Sequence, residues 1–196
     1  MTKIDINVAS RIRQGDIYRD VKFIESAEIR NGVVSVTQIL FPLVIVLTQD
    51  CDLESNMLPP KPKSNGKDNA ALISVLVAPI YNFEHFRNGE HLKKLNLDME
   101  YINSKQRSLI QSNENKRYHF LEFTDNINII PMGVIDFKHY FSVTTDYLKS
   151  IMGTNFVCHI VELYREDVSQ RFAAFLSRIG LPNMVNTKCA NIAHHE

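Results

Sequence analysis

Apolar and polar positions alternate in the first third of the chain, turn helical in the middle, and then alternate again, which predicts a β protein interrupted by helices. Gly15 opens a segment, Asp16 to Phe23, in which Ile17, Val21 and Phe23 share one parity with Arg19, as in a strand with one covered face. Ile29 to Leu40 is broken by Asn31-Gly32, a hairpin-turn pair, and continues as the β-branched run Val33, Val34, Val36, Thr37 and Ile39. After Pro42 the uniformly apolar Leu43 to Thr48 is too short for a core helix and reads as a central strand covered on both faces. It ends in the polar cluster Thr48-Gln49-Asp50-Cys51-Asp52.

Met57 to Asn69, with Pro59, Pro60, Pro62, Gly66 and the cations Lys61, Lys63 and Lys67, has the composition of a loop. Leu72 to Ile80 is a second buried strand, ended by Pro79 and a turn at Asn82. From Phe83 to Gln111 the period is helical: Phe83, Phe86, Leu92, Leu95 and Leu97 mark a first helix, and Asn103 caps a second with Leu109 and Ile110 on its apolar side. Strand patterns resume at Tyr118 to Phe123, Ile129 to Phe137, Tyr140 to Val143 and Phe156 to Leu163. Glu166 to Ile179 then places Val168, Phe172, Phe175, Leu176 and Ile179 on one helical stripe, stopped by Gly180 and Pro182. The fold class expected is mainly β with helical insertions (α+β): one compact barrel domain over 14–182 with a helical insertion at about 82–115, an N-terminal arm at 1–13 and a flexible tail at 183–196.

Composition narrows this picture. With 196 residues, 44% of them hydrophobic, the chain can bury a core without a disulfide or metal staple. Lys and Arg number 22 and so do Asp and Glu, which excludes a uniformly basic nucleic-acid coat while leaving room for a local patch. Glycine fingerprints of dinucleotide and P-loop sites are absent. Cys51, Cys158 and Cys189 are odd in number and widely spaced, the pattern of reduced thiols in a cytoplasmic protein. The longest apolar run, Leu40 to Leu47, falls far short of the ~20 residues of a bilayer-crossing helix, so no membrane partner is expected.

Candidate chemistry gathers in two places. At the end of the central strand stand Asp50, Cys51 and Asp52. Cys51 reads either as a nucleophile, helped by a cation such as Arg117 or by His119, or as a small buried residue with Asp52 capping a short turn through Leu53 to Ser55. A third reading gives Gln49, Asp50 and Asp52 to ligand or partner binding. These donors lack metal-ligand spacing, so neither a metal nor another cofactor is expected. The tail residues Cys189, His194 and His195 have donor atoms without such spacing.

The second place is the segment from Asn103 to His119, where Lys105, Arg107, Lys116 and Arg117 face only Glu114 in charge, with Tyr101, Tyr118 and Phe120 at its edges. Cations interleaved with aromatics suit single-stranded RNA or DNA, and they equally suit a solvated helix face. His85, His91, His139 and His159 lack partners at recognisable spacing and read as structural or surface histidines. Arg171, next to the terminal stripe, reads as a bridge from helix to barrel, toward Asp136 or Asp167.

Two stretches carry a resemblance. Gly15-Asp16-Ile17 with the strand after Phe41-Pro42 resembles the opening of the PemK/MazF family of small SH3-like barrels, whose members include bacterial ribonuclease toxins. In that family the second block begins Arg-Pro and a later strand ends in a hydroxyl residue, both serving RNA cleavage. The matching places here are Phe41 and Tyr81, the latter closing Ala78-Pro79-Ile80-Tyr81. Phenylalanine has no directed cationic donors for a pentacovalent phosphate, so the likeness extends to the barrel and not to that arginine's role.

Val46-Leu47-Thr48-Gln49-Asp50-Cys51-Asp52-Leu53, Arg117-Tyr118-His119 and the run from Arg171 to Pro182 are similar to a widespread bacterial family of uncharacterised proteins of this size. That likeness implies an accessory protein from mobile or defence-related gene neighbourhoods. The resulting expectation is a bacterial cytoplasmic PemK/MazF-like barrel acting as a binding or effector component of a defence or toxin-type system, with nucleic acid as partner. Two alternatives stay open: an enzyme using Cys51 or cleaving phosphodiesters, and an adaptor whose terminal helix packs on a partner protein.

Overall fold

The computed structural model describes residues 1–56, 71–123 and 130–178. Its elements are β1 (Ile4–Asp5), β2 (Asp16–Arg30), β3 (Val33–Val46), α1 (Asp50–Ser55), β4 (Ser74–Asn82), α2 (Phe83–Arg87), α3 (Ser104–Gln111), β5 (Tyr118–Leu121), β6 (Gly133–Asp136), β7 (Phe141–Thr144), α4 (Thr145–Asn155), β8 (Phe156–Ile160) and α5 (Glu162–Leu176). The strands form one curled antiparallel sheet in the order β1-β8-β2-β3-β4-β6-β5, and β7 pairs with β4 as well. The sheet is an open half-barrel. One isolated bridge, Thr2 with Phe123, joins the chain start to the segment just after β5.

The apolar run at the centre is covered on both faces, as its composition predicts. Ile45 and Leu47 pack with Ile17, Ala78 and Ile135 under Phe172 and Phe175 of α5. Val44 and Val46 point the other way and pack with Tyr18, Val75 and Val77 under Leu148 of α4. A third cluster belongs to the helical insertion: Phe83, Phe86, Leu92 and Ile110 close over Tyr81, Phe120 and Val134. Asn103 caps α3 through a complete capping box with Gln106. The Asn31-Gly32 turn joins β2 to β3 with positive φ at both residues, the backbone that a tight hairpin demands.

Several expectations are revised. Ile17 and Val21 do not share a face, because Asp20 adopts φ 54° between them and Pro42 stands opposite; Ile17 faces α5 and Val21 faces the other side. Pro42 does not precede the central strand but lies inside the unbroken β3. Pro79 likewise does not end β4. It falls between the stretch paired with β7, which ends at Val77, and the stretch paired with β6, which begins at Ile80, so its missing N–H is not needed there. The helix α4, capped by the Thr144 hydroxyl, has no counterpart in the predicted elements, and α5 begins at Glu162 rather than Glu166.

The chain start is tied in through β1, which pairs with β8, and through the buried Ile12. Lys61, Lys63, Lys67, Ile179, Gly180, Pro182, Cys189, His194 and His195 lie outside the described residues. Among the described residues no helix is long and apolar enough to cross a membrane.

Candidate functional site

The tip at Asp50-Cys51-Asp52 is the first turn of α1, so the short capped turn expected at Asp52 is instead a helix beginning at Asp50. Asp50 is an anchor. Its carboxylate accepts both Arg11 Nη atoms at 3.0 and 2.7 Å and the Gln14 backbone N–H at 3.1 Å, and Arg165 stands 3.9 Å away. The hydrogen bond from Arg11 holds the Asp50 carboxyl below its usual range despite partial burial. Cys51 is exposed rather than buried, and its Sγ meets Gln49 Oε1 at 3.7 Å and Asp52 Oδ1 at 3.9 Å. Both are acceptors, an amide oxygen and a carboxylate, and neither is a cation that would favour the thiolate.

Arg117 and His119 belong to other networks. Arg117 donates through Nε and Nη2 to the two oxygens of buried Asp136 at 2.8 and 2.6 Å, and its guanidinium covers the Tyr118 ring at 4.9 Å. A guanidinium engaged this way is held inside the fold and does not present a free phosphate-binding fork. His119 is buried on β5 with no hydrogen-bond partner for Nδ1; Asp167 lies 3.9 Å away. Burial, reinforced by the positive Arg171, pushes its imidazole down to about 3, so it is neutral near pH 7. Of the other cations in this segment, Arg107 bonds Gln111 and lies over the Phe83 ring, while Lys105 and Lys116 are exposed.

Arg171 does bridge helix to sheet, through groups other than the expected carboxylates. Its guanidinium donates to the backbone carbonyls of Asn113, Asn115 and Tyr118. His159 is structural as expected: its Nδ1 lies 2.9 Å from buried Asp16, which also accepts the Arg13 N–H and faces the Tyr18 hydroxyl.

The richest chemistry converges elsewhere. A cavity of about 360 Å³ opens between β3, β4 and the helical insertion, lined by Phe41, Pro42, Tyr81, His85, His91 and Lys94 among others. The Tyr81 hydroxyl is 3.0 Å from His139 Nδ1, and that nitrogen is 3.4 Å from Asp136 Oδ2, which places the Arg117–Asp136 pair directly behind the cavity wall. Burial, with the Asp136 charge nearby, pushes the Tyr81 hydroxyl up, so it keeps its proton near pH 7. That one nitrogen faces both oxygens, so bare it accepts from the Tyr81 hydroxyl and protonated it donates toward Asp136.

His91 stacks edge-on against Tyr81 at 4.7 Å and against Phe86 at 4.8 Å, and neither of its buried ring nitrogens has a hydrogen-bond partner. Burial pushes this imidazole down to about 4. The site therefore offers one neutral, unpartnered imidazole, a hydroxyl and a carboxylate that meet at one imidazole nitrogen, aromatic rings and the Lys94 ammonium. Among the described residues no group of three or more His, Cys, Asp or Glu is arranged to hold a metal ion.

His85, His91 and His139 come from separate elements, so no spacing along the chain joins them to Tyr81. One local signal existed: Asp136-x-x-His139, whose members the 3-10 turn at Phe137–His139 brings onto one side. No protein-family model matches the chain, and no curated protein matches it either.

Proposed function

We propose that this chain is a PemK/MazF-like effector protein that binds single-stranded nucleic acid in the cavity between β3, β4 and the helical insertion. The observation that carries this reading is the convergence of Phe41, Pro42 and Tyr81, the positions matched to that family's cleavage site, on one cavity with the unpartnered imidazole of His91. His91 and Phe41, both partly exposed, are rings on which bases stack, and the Lys94 ammonium is the cation at this wall for a phosphate. The bacterial, cytoplasmic, defence-type setting is part of the same proposal and rests on the sequence resemblance.

Binding of labelled single-stranded RNA and DNA, followed by fluorescence anisotropy across a salt series, tests it. Affinity is expected to fall steeply with salt and to drop about 5- to 100-fold in His91→Ala, the range of one lost stacking contact. Lys94→Ala is expected to flatten the salt slope. Binding that ignores salt and both substitutions would refute the reading.

A further inference from the structure

Beyond Phe23 and Ile39 the β2–β3 ribbon leaves the body of the molecule. All residues from Ile24 to Gln38 are exposed. Neighbouring strands do not follow it: β8 pairs β2 only at Asp16 to Tyr18, and β4 pairs β3 only at Val44 to Val46. A two-stranded ribbon without a third strand or a covering layer is at best marginally stable in water.

Its two faces differ. Residues directly opposite in an antiparallel pair share a face, and a register shift between Ile24 and Ser26 keeps the pairs Lys22–Leu40, Ile24–Gln38, Ala27–Val36 and Ile29–Val34 on one side. The other side is seated at its base, where Phe23 meets Phe141 at 5.1 Å, and is mostly polar toward the tip, where Ser26, Thr37, Ser35 and the Glu28–Arg30 ion pair accompany one exposed apolar residue, Val33. On the first side Ile24, Ile29, Val34, Val36 and Leu40 are 49% to 76% exposed.

We propose that this apolar ribbon face joins two copies of the chain into a homodimer, the ribbons packed face to face and antiparallel about a two-fold axis near Ala27 and Val36. Taking about 170 Å² for a fully exposed aliphatic residue, the five side chains present about 500 Å² per copy. Two copies then bury about 1,000 Å², the lower bound for a specific interface and the range of a dimer that dissociates at micromolar concentration. The face is self-complementary. Lys22, its single charge, lies at the base, and an antiparallel two-fold carries it to the partner's tip, away from the partner's own Lys22. Ala27, the smallest residue of the stripe, sits at the axis and permits close approach. Leu40 of this face also lines the cavity, so the two surfaces adjoin, but the dimer does not rest on the nucleic-acid reading.

Sedimentation velocity from about 1 to about 200 µM tests it, with the expectation that mass shifts from one copy to two. Val36→Lys puts like charges together across the axis at a position exposed in the monomer. It is expected to weaken dimerisation at least tenfold with an unchanged circular-dichroism spectrum. Val36→Glu alone is expected to do the same, and an equimolar mixture of the two variants to recover the dimer. A wild-type protein that stays monomeric throughout overturns the proposal. So does a Val36→Lys protein that still dimerises, or a mixture of the two variants that stays monomeric.

Discussion

Arg117 carries a formal charge that the fold has already matched. Its fork closes on Asp136, a carboxylate buried in β6, and Asp136 in turn accepts the Lys138 N–H and faces His139. Replacing Arg117 with Ala leaves that carboxylate without its cation, so the effect belongs to stability before it belongs to any ligand. The expected loss is about 2–3 kcal/mol, read from urea unfolding, the low end of the cost of breaking a buried pair because the arginine is partly exposed. Arg117→Ala combined with Asp136→Asn should recover much of it. A single variant as stable as the parent would mean that the pair contributes nothing. Lys105, Arg107, Lys116 and Arg117 are alike as cations along the chain; only packing separates the exposed lysines from the arginine held by Asp136.

At the scale of the element, what could be read in advance was local chemistry. Asn31-Gly32 specified its turn and Asn103 its helix start because both act within four residues. The parity of β2 could not be read, since the reversal at Asp20 depends on Pro42 in the strand opposite. The cavity was legible only in part, because its side chains arrive from β3, β4, α2 and the segment after it.

That segment has a strict requirement of its own. Gly89 adopts φ 73°, and a Cβ there would collide with the Met99 carbonyl, whose residue's N–H bonds back to the Gly89 carbonyl. Gly89→Ala should therefore destabilise the protein by about 3 kcal/mol and loosen the Phe83–Phe86–Leu92 cluster. An unchanged melting temperature in that variant would refute this account of the insertion.

For the whole molecule, the neutral imidazoles set the response to acid. His91 and His119 are held down to about 4 and about 3 in the folded chain, whereas unfolded histidine takes up its proton near 6.5. The unfolded state therefore binds more protons as the pH falls below about 6.5. Stability is complete above that value and declines through the interval down to about 4, by about 1.4 kcal/mol per pH unit for each proton. Unfolding free energies measured between pH 7.5 and 4.5 should show this decline, and His119→Leu should remove part of it. A flat profile would contradict the burial of both rings. The lowered carboxyl of Asp50 adds a loss that begins only as the pH enters the ordinary carboxylate range and continues below it.

The bridge made by Arg171 also bears on how the chain is assembled as it is synthesised. The carbonyls of Asn113, Asn115 and Tyr118 emerge from the ribosome more than fifty residues before the guanidinium that receives them. Until α5 is made, those carbonyls lack their guanidinium donor, so the helical insertion can settle early, held by bonds such as Asn113 to Phe120, while its junction with the terminal helix is locked last. Translation order thus makes the terminal helix a clasp, and a nascent chain halted before it would hold its middle third without the fastening that fixes it.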